Sequence, residues 1–264
     1  MNLILTTIIG ISFIFLCTSI GASFVFVLRK KTISLKINQI FLGFSSGIML
    51  SASIFSLILP AINDSNNVNI PISIIVSISV LFGALFLWSI DKITDFFSTQ
   101  KEKPIKESKF NSNLKMFLAV TIHNIPEGLS VGIAYGIALA SWNTNPQASI
   151  IEALILAIGI GIQNIPEGAV VSLMYKSQKS TKKSFLLGVL SGAVEPLSAV
   201  IGVLLAMQIK IIMPWALSFA SGCMLYVVAE EMIPEMKSDS KHHHGVWAFI
   251  IGFVIMMVLD ITLG

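Results

Sequence analysis

Charge is scarce in this chain: only 12% of its 264 residues are Asp, Glu, Lys or Arg. A soluble domain of this length covers itself with polar side chains, so the scarcity excludes one as the main body. Cysteine is scarcer still, with Cys17 and Cys223 alone. Two cysteines inside apolar runs give neither a disulfide framework nor a CxxC metal pattern. A tight thiolate zinc site is excluded with them. As small buried residues they need no further role. Histidine occurs only as His123 and the run His242-His243-His244. No HExxH pair is present to build a hydrolytic zinc site.

What is abundant is apolar sequence, 55% of the chain, gathered in long blocks. About 20 apolar residues suffice to cross a bilayer. Eight such runs are read, roughly 3–28, 38–62, 70–90, 116–140, 149–175, 184–208, 211–235 and 246–263. The first has no positive charge ahead of it and no small-residue cleavage site, and it exceeds the apolar region of a signal peptide. It reads as a transmembrane helix. Of the 17 Lys and Arg residues, all but Lys210 fall between helices 1 and 2, 3 and 4, 5 and 6, or 7 and 8. Positive charge is retained in the cytoplasm, so both termini are predicted outside. The alternation works only with eight spans. Lysines dispersed at helix ends are a poor nucleic-acid surface, and none is expected as partner. The prediction is an all-α polytopic protein of the cell membrane, a single transmembrane domain over 1–264 whose main partner surface is the lipid bilayer.

The longest predicted loop, 91–115, is lysine-rich and separates helices 1–3 from helices 4 and 5. A shorter basic loop precedes helices 6–8, giving a 3+2+3 arrangement. Similarity between helices 1–3 and 6–8 is weak.

Helices 4 and 5 carry one hexapeptide twice. His123-Asn124-Ile125-Pro126-Glu127-Gly128 returns forty positions later as Gln163-Asn164-Ile165-Pro166-Glu167-Gly168. Ionisable and amide side chains are costly in hydrocarbon, so such residues mark a functional site by default. A motif repeated on antiparallel helices predicts an inverted repeat with the site at its interface. On a helix, i and i+4 share a face, so His123 aligns with Glu127 and Gln163 with Glu167. At about 1.5 Å per residue from the nearest cytoplasmic lysine, His123 lies about 12 Å up and Glu127 about 18 Å. Gln163 falls at about 20 Å, Glu167 at about 14 Å, and Glu195 of helix 6 at about 18 Å. Five polar groups from three helices share one band near the bilayer centre. Pro126 and Pro166 cannot donate to the carbonyls of Ile122 and Ile162, which leaves spare oxygens and opens space.

One imidazole, three carboxylates and the Asn124, Gln163 and Asn164 amides suit Zn²⁺, and also Fe²⁺, Mn²⁺ or Cd²⁺. Three ionised carboxylates would be nearly neutralised by one or two divalent ions, and binding is expected to displace protons. The metal is cargo, and no cofactor is expected.

The HNxPEG and QNxPEG pair resembles the signature of the ZIP family of divalent metal transporters. Glu195-Pro196, the Tyr226–Glu235 stretch and the Met256–Asp260 ending are similar to it too. The resemblance covers nearly the whole chain and is strongest toward the bacterial zinc-uptake branch. It implies a two-metal site, the first ion at His123, Glu127, Gln163 and Glu167. The second would lie at Asn124, Glu127, Asn164, Glu167 and Glu195. Some members have Asp at the position of Asn164. The resemblance also implies uptake into the cytoplasm and a moving bundle of helices 1, 4, 5 and 6.

Weaker signals carry bland readings beside sharp ones. Glu230 and Glu231 serve as an exit relay or as helix-end caps, and the resemblance favours the relay. His242, His243 and His244 catch metal at the exit, or form a solvated turn. Ser45, Ser46, Met49 and Ser53 line an outer entrance or simply pack, packing being the commoner role. A homodimer is a candidate assembly. The rival functions are an intramembrane metal-dependent enzyme, which would need a metal-activated water, and a metal sensor, which would need an output domain.

Overall fold

The computed structural model describes residues 3–27, 34–63, 70–99, 109–140, 146–176, 179–208, 213–237 and 243–263. Among the described residues every regular element is helical. Helix α1 spans Leu3–Val27. Helix α2 starts as Leu35–Ala52, passes through a π-helical turn at Ser53–Ile58 and ends as Leu59–Asn63. Helices α3, α4 and α5 are Ile72–Thr99, Lys109–Ala140 and Pro146–Tyr175. Helix α6 has two parts, Thr181–Gly192 and Val194–Gln208. Helix α7 runs as Met213–Val227, a π-helical turn at Val228–Met232, and Ile233–Met236. Helix α8 is His244–Leu263.

Seven of these are long and apolar enough to cross a membrane. The other, α4, is 32 residues long but carries His123, Asn124, Pro126 and Glu127 in its middle. Leu197, Leu81 and Trp247 are each more than 60% exposed on the outer faces, as expected of a surface solvated by lipid. Of the loop predicted over 91–115, residues 91–99 and 109–115 are helical, and 100–108 lie outside the described residues. Apolarity ends at the membrane boundary, but with no Gly or Pro in those flanks helical hydrogen bonding continues.

Prolines set the interruptions. Pro196 cannot donate to the Gly192 carbonyl, and α6 breaks there, with the Ala193 N–H turning to the Leu190 carbonyl at 3.2 Å. The π-helical turns of α2 and α7 are followed by Pro60 and Pro234; the widened turn absorbs the missing donor. By contrast, α4 and α5 run unbroken through Pro126 and Pro166.

The most extensive packing pairs are α1 with α5, α4 with α6, α2 with α8, and α3 with α7. Exchanging α1 with α6, α2 with α7, α3 with α8, and α4 with α5 returns the same pairs. The chain itself carries the trace. Phe44-Ser45-Ser46-Gly47-Ile48-Met49-Leu50 of α2 and Phe219-Ala220-Ser221-Gly222-Cys223-Met224-Leu225 of α7 share the pattern F-x-S-G-x-M-L. This one local match stands out within the weak similarity between helices 1–3 and 6–8. Equivalent glycines make equivalent close approaches: a Cβ at Gly47 would strike the Phe249 carbonyl of α8, and one at Gly222 the Val80 carbonyl of α3. Small residues let backbones meet in this way in membranes.

Candidate metal centre

Helices α4, α5 and α6 bring His123, Asn124, Glu127, Gln163, Asn164, Glu167 and Glu195 into the middle of the bundle. None is more than 8% exposed. The i, i+4 spacing turns His123 and Glu127 to one side of α4, while α5 presents its matching residues in reverse direction. Glu195 lies in the first turn of the second part of α6, just after the proline-induced break.

These side chains hold one another. Gln163 Nε2 donates to Glu127 Oε1 at 2.7 Å. Asn124 Nδ2 donates to the Ser191 carbonyl at 2.8 Å and ties α4 to the first part of α6. Thr18 of α1, a residue the sequence reading passed over, donates its hydroxyl to Glu195 Oε1 at 2.6 Å. Ser45 of α2 donates to the Gln163 carbonyl at 3.0 Å. Glu127 lies within electrostatic reach of both Glu167 and Glu195, with Asn164 beside Glu127 and Glu195.

Six buried side-chain oxygens here have no hydrogen-bond partner: Asn124 Oδ1, Glu127 Oε2, Gln163 Oε1, Asn164 Oδ1, Glu167 Oε1 and Glu195 Oε2. Each orphaned buried acceptor costs about 1–3 kcal/mol. Buried together among α4, α5 and α6, they form a donor set that a cation would satisfy together. Among the described residues no three His, Cys, Asp or Glu side chains alone converge on one point. The amides stand between the carboxylates, so the chemistry is that of a mixed carboxylate–amide–imidazole site.

His123 also faces the other way. Its Nε2 lies 2.8 Å from Glu231 Oε1 of α7, an ion-pair separation without hydrogen-bond alignment. A cavity of about 50 Å³ joins His123 and Glu167 to Glu231 and Glu235, with Leu42 and Met232 on its walls. Of the exit residues considered, Glu231 touches the centre, whereas Glu230 is exposed. His243 is exposed and His244 opens α8; His242 lies outside the described residues. Glu235 enters as a wall of this cavity and accepts from Asn38 Nδ2 at 3.5 Å. Ser46 and Ser53 bond back to the Gly43 and Met49 carbonyls of their own helix.

The sequence model of the ZIP zinc transporter family matches residues 112–260. Zinc transporter GufA of Myxococcus xanthus is 35% identical over 216 residues, 80% of this chain and 81% of that protein. Zinc transporter ZupT of Chlorobaculum parvum is 32% identical over 244 residues, 86% of this chain and 87% of that protein. Zinc transporter ZIP11 of Homo sapiens is 39% identical over 150 residues, 56% of this chain and 43% of that protein.

Proposed function

The chain belongs to the ZIP zinc transporter family, and on that footing we propose that zinc crosses the membrane through the buried cluster on α4, α5 and α6. The protein is a membrane transporter of divalent metal, not an enzyme. The observation that carries the site is the set of six unpartnered buried oxygens contributed by both copies of the hexapeptide and by Glu195. A first ion takes His123, Glu127, Gln163 and Glu167. A second takes Asn124, Glu127, Asn164, Glu167 and Glu195, with Glu127 and Glu167 shared. The oxygen-rich set also accepts Fe²⁺, Mn²⁺ and Cd²⁺.

Eight spans in a 3+2+3 order, with both termini outside the cell membrane, place the lysine-bearing helix ends in the cytoplasm. The pairing symmetry of the helices supports an inverted repeat with the metal at its axis. In this orientation the cavity between His123, Glu167, Glu231 and Glu235 lies on the cytoplasmic side. Zinc bound at the centre therefore leaves toward the cytoplasm past Glu231.

The reading is tested by zinc K-edge X-ray absorption on the zinc-loaded protein. The expected spectrum has a nitrogen and oxygen shell at about 2.0–2.2 Å and no sulfur, and Glu127→Ala removes the bound metal. A sulfur shell at about 2.3 Å would contradict the assignment.

A further inference from the structure

Gly128 and Gly168 hold the same place in the two hexapeptides. A Cβ at Gly128 would strike the carbonyl oxygen of Glu195, and one at Gly168 would strike the carbonyl oxygen of Thr18. Thr18 on α1 is therefore the counterpart of Glu195 on α6 across the pseudo-twofold. The site is symmetric at Asn124 with Asn164 and at Glu127 with Glu167. It is asymmetric at His123 with Gln163 and at Glu195 with Thr18.

The two unlike residues of the second pair meet each other. Thr18 is 1% exposed, and its hydroxyl donates to Glu195 Oε1 at 2.6 Å, a short hydrogen bond. Its own-helix alternative, the Ile14 carbonyl, is at a longer 3.3 Å. Gly192 makes room for the pair, because a Cβ there would lie 2.7 Å from Thr18 Cγ2 and 2.9 Å from Glu195 Oε1. With Oε1 occupied by Thr18, Oε2 is the buried oxygen of Glu195 left without a partner.

We infer that Thr18 is a positioning residue of the zinc site: it fixes the Glu195 carboxylate so that one oxygen faces the second ion. The two helices thereby contribute one ligand oxygen between them, on the α6 side of the axis. The inference rests on the two-ion reading above. It goes further by assigning a role to α1, which that reading leaves without a ligand.

The test is equilibrium zinc binding to the purified full chain, with zinc uptake measured alongside. Thr18→Val keeps the shape and removes the donor. Second-ion binding is expected to weaken by about ten- to a hundredfold, the value of a hydrogen bond to a charged group, while the first ion binds as before. Thr18→Ser, which keeps the hydroxyl, restores the second ion. In a Glu195→Ala background, which removes the acceptor, Thr18→Val has no further effect on the second ion, which a general packing defect would not reproduce. Uptake by Thr18→Val shows a raised KM with kcat largely kept. Two zinc ions bound equally well by the wild type and by Thr18→Val would overturn this inference and leave the two-ion reading standing. One zinc ion bound by the wild type would overturn both. Should Thr18→Val fail to fold, the Thr18→Ser and Thr18→Ala pair carries the same comparison.

Discussion

Replacing Gly168 with alanine tests how the helix packing and the metal centre are joined. The new Cβ would meet the Thr18 carbonyl oxygen, with the Ala22 amide nitrogen 3.1 Å away. Both are backbone atoms, so no side-chain rotation relieves the clash. To restore van der Waals contact, α1 and α5 must part by about 1 Å at this level. Overpacking of this kind costs about 1–3 kcal/mol. The displacement also has a chemical effect. It shifts the Thr18 hydroxyl that donates to Glu195 Oε1 at 2.6 Å, and so weakens that hydrogen bond. The assay is thermal unfolding in detergent, with and without zinc. Gly222→Ala is the comparison, because its Cβ would strike the Val80 carbonyl on the α3–α7 seam, away from the centre. Both variants are expected to unfold at lower temperature. Only Gly168→Ala should also lose part of the stabilisation that bound zinc confers by mass action. A Gly168→Ala protein with the full zinc-induced shift would refute the link between the α1–α5 contact and the site.

Glu231→Gln replaces the carboxylate 2.8 Å from His123 Nε2; zinc release followed by stopped flow is expected to slow severalfold, with the bound zinc per chain kept. Ser56 Oγ donates to Asp260 Oδ1 at 2.6 Å, joining α2 to α8. Ser56→Ala leaves that carboxylate unpartnered at a cost of about 1–3 kcal/mol, readable as a lowered denaturation midpoint. Zinc binding should release protons from the clustered carboxylates, so a weakly buffered sample acidifies on zinc addition and Glu127→Gln releases fewer.

That the side chains of the proposed centre are buried together was largely legible in the chain. A hexapeptide with His or Gln, Asn, Pro and Glu inside an apolar run has few innocent explanations, and its return on the next helix fixed Glu127 and Glu167 as partners. Thr18 was not legible. A lone threonine in an apolar helix commonly bonds back to its own carbonyls, as Thr7 does to Leu3 at 2.9 Å. Its reach to Glu195 exists because α1 lies against α5 at Gly168, a tertiary fact. The F-x-S-G-x-M-L pair at Phe44 and Phe219 was present to be read. It is short and apolar, though, and only the matching close approaches at Gly47 and Gly222 give it meaning. Helix ends were misjudged at Thr99 and Lys109 because hydropathy reports the edge of the membrane, not the end of helical hydrogen bonding.

The most direct measurement is uptake of radioactive zinc into proteoliposomes holding the purified protein, comparing wild type with His123→Ala and Glu127→Ala. The account predicts saturable entry in the wild type, competed by Cd²⁺, and loss of saturable entry in both variants although each reconstitutes normally. Wild-type flux in either variant would contradict the claim that the paired hexapeptides carry the metal.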